Sequence, residues 1–291
     1  MNTVARFREI LRQVKVRFTV PAVTYTYTTI IATFVASKGI PNLVHLAYAF
    51  LTSFFVLTAI YVYNDAMDVE IDRINHVDRP IATGRLSWKD GVILALILFF
   101  LGILSASINM ETLVLSATLF LLGLLYSTPP VRLRNRFLVK HMMPATGHFI
   151  SSLIGGTIVG SVSIQVVYLG FLMFMTVFAG APIFDLPDLT GDKADMARSV
   201  AVLYGPRAGL KFSITGFFLV IVVTGLSYPY VGFNILMPIM LTSICLVFIW
   251  LAYGLLGQWQ NVDYCRKTVF KIVGLNFLYQ LSFILGILKT G

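Results

Sequence analysis

Two stretches of this chain gather carboxylates at a spacing suited to metal-assisted phosphate chemistry. The first reads Asn64-Asp65-Ala66-Met67-Asp68-Val69-Glu70-Ile71-Asp72, the second Asp185-Leu186-Pro187-Asp188-Leu189-Thr190-Gly191-Asp192. Each places aspartates as D-x-x-D-x-x-x-D. At about 100° per residue, Asn64, Asp65, Asp68 and Asp72 share one helix face, as do Asp185, Asp188 and Asp192, while Glu70 points away. Like charges this close raise one another's pKa and destabilise the fold unless cations neutralise them. Mg²⁺ does this well, with one or two carboxylates, waters and phosphate oxygens as ligands. Two such faces opposite each other would clamp a diphosphate through bridging Mg²⁺. A single acidic run at a helix end is ordinarily solvated surface. The same spacing in two corresponding loops argues against that, and neither stretch has the ligand pattern of an EF-hand calcium loop.

The elements that must position these faces are membrane helices. The chain has 291 residues, of which 57% are hydrophobic and only 12% charged, about half the charge of a soluble domain. A crossing helix needs roughly 17–25 mostly apolar residues. Nine runs qualify, at 18–37, 43–63, 91–108, 112–128, 142–161, 164–184, 210–228, 232–255 and 270–288. The expected fold is therefore all-α, a polytopic bundle of about nine transmembrane helices forming one domain over 1–291. Residues 1–17 form a basic segment ahead of the first span, with no cleavable signal evident.

Of the 22 basic residues, only Lys38 and Lys289 fall on one side of this bundle. All others lie in the N-terminal segment and in the loops after the second, fourth, sixth and eighth spans. The positive-inside rule places that side in the cytoplasm and, with nine spans, the C-terminus outside. The net charge of +9 thus reflects membrane topology, and no nucleic acid is expected as a partner. No Asp or Glu falls at mid-membrane, where an ion-coupled transporter would place one. The two cysteines, Cys245 and Cys265, offer neither metal spacing nor a disulfide framework. His76 and His141 are read as loop residues, and no histidine is given a metal role.

Asn64 to Asp72, followed by Arg79-Pro80-Ile81 and Gly84-Arg85, resembles the first signature of the UbiA superfamily of intramembrane prenyltransferases. Asp185 to Asp192 with Lys193 resembles its second, and Tyr126-Ser127 with Pro130-x-Arg132-Leu133-Arg134 extends the likeness. One departure is Phe184, where many relatives carry a polar or basic residue. The resemblance implies an all-helical bundle with a central cavity, in which a prenyl diphosphate donor binds through Mg²⁺ with its tail among the helices.

The implied reaction transfers the prenyl group to an acceptor with loss of diphosphate. Metal ligands are expected among Asn64, Asp65, Asp68, Asp72, Asp185, Asp188 and Asp192, with Asp65 and Asp185 as ligands or as partners of ligands. Arg79, Arg132, Arg134 and Lys193 are candidate diphosphate contacts, because six carboxylates plus a diphosphate exceed the charge of two Mg²⁺. Tyr126 and Ser127 would hydrogen-bond phosphate or shield the carbocation. The loop Asp72 to Ile81 looks more like the branch that makes archaeal glycerolipids, or prenylates chlorophyllide, than like the haem-farnesylating branch. Transfer of geranylgeranyl to geranylgeranylglyceryl phosphate is the expected reaction. The alternatives are an aromatic acceptor such as a hydroxybenzoate, a quinone or a chlorophyll precursor, terpenoid cyclisation on the same scaffold, and a lipid or solute transporter.

Overall fold

The computed structural model describes residues 3–194 and 196–288; Lys289, counted above, lies outside them. A charged helix α1 (Thr3–Arg17) runs through a π turn (Phe18–Ala22) into α2 (Val23–Ser37). Long helices follow as α3 (Leu43–Met67), α5 (Trp88–Ala106), α6 (Met110–Ser127), α7 (Val139–Val159), α8 (Ile164–Asp185), α11 (Pro206–Val231), α12 (Leu236–Leu255) and α13 (Val262–Ile287). Short helices α4 (Val69–Ile74), α9 (Leu189–Ala194) and α10 (Val200–Leu203) sit in the loops. The described residues contain no strand.

Each of the nine apolar runs lies on a long helix. By length and apolar content, seven qualify as membrane spans: α3, α5, α6, Ile164–Ala194, α11, α12 and α13. The exceptions are α2, only 15 residues long because the π turn takes the start of its apolar run, and α7, lined with Thr, Ser, Gly and His. They pack against each other and against α3, α8 and α13. A helix enclosed by protein needs fewer apolar side chains than one facing lipid, provided its hydroxyls find acceptors. Thr26, Thr29 and Thr33 find them four residues back, at the carbonyls of Ala22, Tyr25 and Thr29. Gly155 lets α7 approach α2 closely, since a Cβ there would collide with the Thr29 carbonyl oxygen.

Helix ends are capped by side chains where chain direction must change. Asn42, Ser87, Asn109, Ser163 and Asn261 each accept a backbone N–H in the first turn of the following helix. Ser87 and Asp90 form a reciprocal capping box at the start of α5. Two apolar clusters result. One is built mainly from α8, α11, α12 and α13, the other from α2, α3, α5, α6 and α7.

Candidate active site

The first motif begins where α3 ends. Asn64 and Asp65 occupy its last turn, Asp68 ends it, and Asp72 lies one turn on in α4. The second begins at the end of α8 with Asp185 and continues through Asp188 to Asp192 on α9. A hydrogen bond from backbone to side chain joins the two. Asn75, ending α4, accepts a hydrogen bond from the Gly191 N–H at 3.0 Å. A Cβ on Gly191 would collide with the Asn75 side-chain amide, so a larger residue there would push that amide aside.

The aspartates have distinct surroundings. Asp68 is buried and receives Arg134, also buried, together with Arg132 at 3.3 Å and the Asn64 amide at 2.7 Å. Asn64 gives a second amide hydrogen to Ser127 Oγ at 3.0 Å. With both hydrogens used, only its carbonyl oxygen is left for a third partner. Arg79 spans Asp65 and Asp72 at 2.8 and 2.9 Å. Asp72 sits in a half-shielded site, where burial pushes its carboxyl up to about 6, Arg79 opposes that rise, and the nearby Asp65 adds to it. In the second motif, Lys140 at the start of α7 bridges Asp185 and Asp192, and His141 Nε2 meets Asp185 at 2.8 Å. Asp188 is exposed.

Three features are not apparent from the sequence. Asp65 lies under α1, while Arg79 still joins it to Asp72. It is fully buried, and Gln13 and Arg17 of α1 meet it at 2.5 and 2.6 Å. Gln13, Arg17 and Arg79 together hold its carboxylate in place. Lys193 is exposed on α9, and the cation on Asp192 is Lys140. His141 is no loop residue; it is buried in the first turn of α7 and pairs with Asp185. The residues that sequence reasoning missed, Gln13, Arg17, Lys140 and His141, all reach carboxylates 44 or more positions away. No local pattern announces such partners; Arg17 and Lys140 entered the reading only as topology charges.

A cavity of about 190 Å³ opens beside the first motif. Asn64, Tyr126 and Ser127 form its polar end, and Leu57, Ile60, Leu119 and Leu122 its apolar walls. Tyr25 stacks on His148 with ring centroids 3.8 Å apart and also lines the cavity. The cavity is thus polar at its Asn64 end and apolar among α3, α6 and α7.

The UbiA prenyltransferase family matches residues 25–275, most of the chain. The chain belongs to that family. It is an intramembrane prenyltransferase and a multi-pass membrane protein. The digeranylgeranylglyceryl phosphate synthase of Pyrococcus abyssi is 27% identical over 273 residues, covering 90% of this chain and 92% of that protein. The same-named protein of Methanosphaera stadtmanae is 27% identical over 226 residues, covering 77% and 81%. Among solved structures, a UbiA homolog from Archaeoglobus fulgidus bound to GPP and Mg²⁺ shares the fold, with a TM-score of 0.71 at 17% identity over 95% of this chain and 99% of that one.

The family implies Mg²⁺, and the donor set suits it chemically. Asn64 and the aspartates offer only hard oxygen ligands, as Mg²⁺ requires. No group of three His, Cys, Asp or Glu side chains converges among the described residues. Arginine and lysine hold the carboxylates instead.

Proposed function

We propose that this prenyltransferase moves a geranylgeranyl group from its diphosphate to geranylgeranylglyceryl phosphate, with Mg²⁺ as cofactor. The observation carrying this reading is the cavity itself, apolar along its length and polar at Asn64 and Ser127, where the Asn64 amide also holds Asp68. Relatives named as digeranylgeranylglyceryl phosphate synthases supply the acceptor class.

Asn64, Asp68, Asp72, Asp188 and Asp192 would hold the metal. Mg²⁺ supplies positive charge to the departing diphosphate. The cations now resting on the motif carboxylates serve a second purpose. Arg79, Arg132, Arg134 and Lys140 are within reach of any diphosphate held by those carboxylates. Their exchange from carboxylate to phosphate oxygens keeps the site neutral as the donor enters. The allylic C–O bond breaks, the acceptor oxygen bonds the same carbon, and the hydroxyl proton is released. Tyr126, at the polar end of the cavity, faces the developing carbocation with an electron-rich ring. Apolar walls exclude water that would otherwise hydrolyse the donor.

At about 190 Å³ the cavity is smaller than the roughly 300–1,000 Å³ of common ligand sites. A twenty-carbon tail therefore extends beyond it toward lipid. We place all nine long helices across the bilayer as one domain, with α1 and both motifs on the cytoplasmic side and the C-terminus outside. Diphosphate release on mixing the purified protein with geranylgeranyl diphosphate, Mg²⁺ and acceptor tests the activity. Release without any acceptor would point instead to cyclisation or hydrolysis.

A further inference from the structure

The helix α1 carries an outward face that the catalytic account does not use. Val4, Phe7 and Leu11 are 72%, 60% and 53% exposed, and at about 100° per residue they form one stripe. Exposed Arg8 and Lys15 border that stripe. With 15 residues and charges throughout, α1 is too short and too polar to span a bilayer. It leads directly through the π turn Phe18–Ala22 into α2, which fixes its C-terminal end at the membrane boundary. An apolar stripe flanked by cations at that depth is the pattern of a helix lying in the plane of the interface. Basic side chains there are attracted to anionic headgroups.

The opposite face grips the first motif. Gln13 and Arg17 hold Asp65, Glu9 meets Arg85 at 3.4 Å, Arg12 meets Asp78 at 3.1 Å, and Arg6 pairs with Asp90. One rigid helix thus joins the lipid-facing stripe to the carboxylate that braces Arg79 and, through it, Asp72.

We infer that α1 is a membrane-surface lever: it docks on anionic phospholipid through Val4, Phe7, Leu11, Arg8 and Lys15, and this docking sets the first aspartate motif in its working geometry. When α1 leaves the surface, Gln13 and Arg17 withdraw from Asp65. The buried Asp65 carboxylate then keeps Arg79 but loses Gln13 and Arg17 beside Asp68 and Asp72. Turnover accordingly depends on the charge of the surrounding lipid. That coupling to turnover rests on the transferase activity proposed above, whereas the docking does not.

The test uses the full chain in nanodiscs of phosphatidylcholine, with or without phosphatidylglycerol, each also prepared with brominated acyl chains. A Phe7→Trp variant, compared with the parent protein and its three native tryptophans, reads depth by bromine quenching. Added quenching is expected, stronger with phosphatidylglycerol. Product formation is expected to rise several-fold with phosphatidylglycerol. The Arg8→Gln/Lys15→Gln variant should keep the phosphatidylcholine rate and lose that rise. Phe7→Asp should lose turnover, and Phe7→Leu should restore it. No added quenching in Phe7→Trp would overturn the docking, and a phosphatidylglycerol response retained in Arg8→Gln/Lys15→Gln would overturn the lever. If no preparation makes product while Phe7→Trp shows the added quenching, the transferase assignment fails and the docking stands.

Discussion

Arg134 donates to Asp68 with both side chains buried, joining the loop after α6 to the end of α3 across 66 positions of sequence. The pair places a cation on the carboxylate that the metal would need. Replacing Asp68 with Asn removes the anionic ligand and leaves Arg134 buried beside a neutral amide. Asp68→Asn is therefore expected to abolish turnover, and excess EDTA should do the same to the parent protein. Diphosphate release by the purified protein is the measurement, and full activity in EDTA would rule out a metal clamp.

Arg17 and Asp65 form a second buried pair, with 7% and 0% of their side chains exposed. Breaking a buried pair by removing one partner costs about 3–5 kcal/mol. Arg17→Met should therefore lower the thermal unfolding midpoint in detergent markedly. Arg85→Met removes a more exposed cation and should change it little. Equal midpoints in the two variants would show that Asp65 does not depend on Arg17.

Gly191 and Asn75 hold the two motifs together. A Cβ at 191 displaces the Asn75 side chain and with it the hydrogen bond that joins α4 to α9, and overpacking of this kind costs about 1–3 kcal/mol. Gly191→Ala is expected to lower kcat strongly while the protein remains folded. Trimming the obstacle, as in Gly191→Ala/Asn75→Ala, should recover part of the loss even though the Asn75 hydrogen bond is gone.

Asp72 gives a pH dependence of known sign. Its carboxyl lies at about 6 in the folded protein, above its ordinary value of 3.8, chiefly through burial. Between these values the native state keeps a proton that the unfolded chain has lost, so this group's contribution to stability is full below 3.8 and disappears as pH rises through about 6. Without Mg²⁺, the unfolding midpoint of the parent protein should fall across that window relative to Asp72→Asn. Mg²⁺ affinity should rise through the same window, since only the ionised carboxylate binds the cation strongly. Isothermal titration on either side of that window reads the difference.

Cys245 and Cys265 are buried, which favours topology mapping by single added cysteines. A membrane-impermeant reagent applied to intact cells should label Lys38→Cys and miss Lys89→Cys and Arg198→Cys. Labelling of the latter two from outside would reverse the orientation.

The long apolar helices were legible because apolar runs report on lipid directly. The motifs were legible because D-x-x-D-x-x-x-D repeats at a fixed place in the topology. Their cations were only partly so. Arg79, Arg132 and Arg134 lie close in sequence to recognisable signatures, whereas Arg17 and Lys140 reach Asp65 and Asp192 through folding alone. Asp65 satisfies the same spacing as Asp68, yet α1 covers it, and an amphipathic helix packed across the motif is invisible to a reading of the motif itself. The histidine at 141 was hidden for a related reason, because its partner Asp185 lies 44 positions on. The π turn Phe18–Ala22 cuts the first apolar run, leaving α2 only 15 residues long, and the Ser, Gly and His of α7 are buried among neighbouring helices, which a hydropathy window does not register.

The central claim is prenyl transfer to a polar lipid. Purified protein in nanodiscs, given labelled geranylgeranyl diphosphate, Mg²⁺ and either geranylgeranylglyceryl phosphate or a hydroxybenzoate, reads it directly by mass spectrometry. The account predicts a digeranylgeranyl product from the lipid acceptor, lost in Asp68→Asn and in EDTA. A prenylated product from the aromatic acid alone would contradict the lipid assignment, and no product from any acceptor would contradict the proposed transfer.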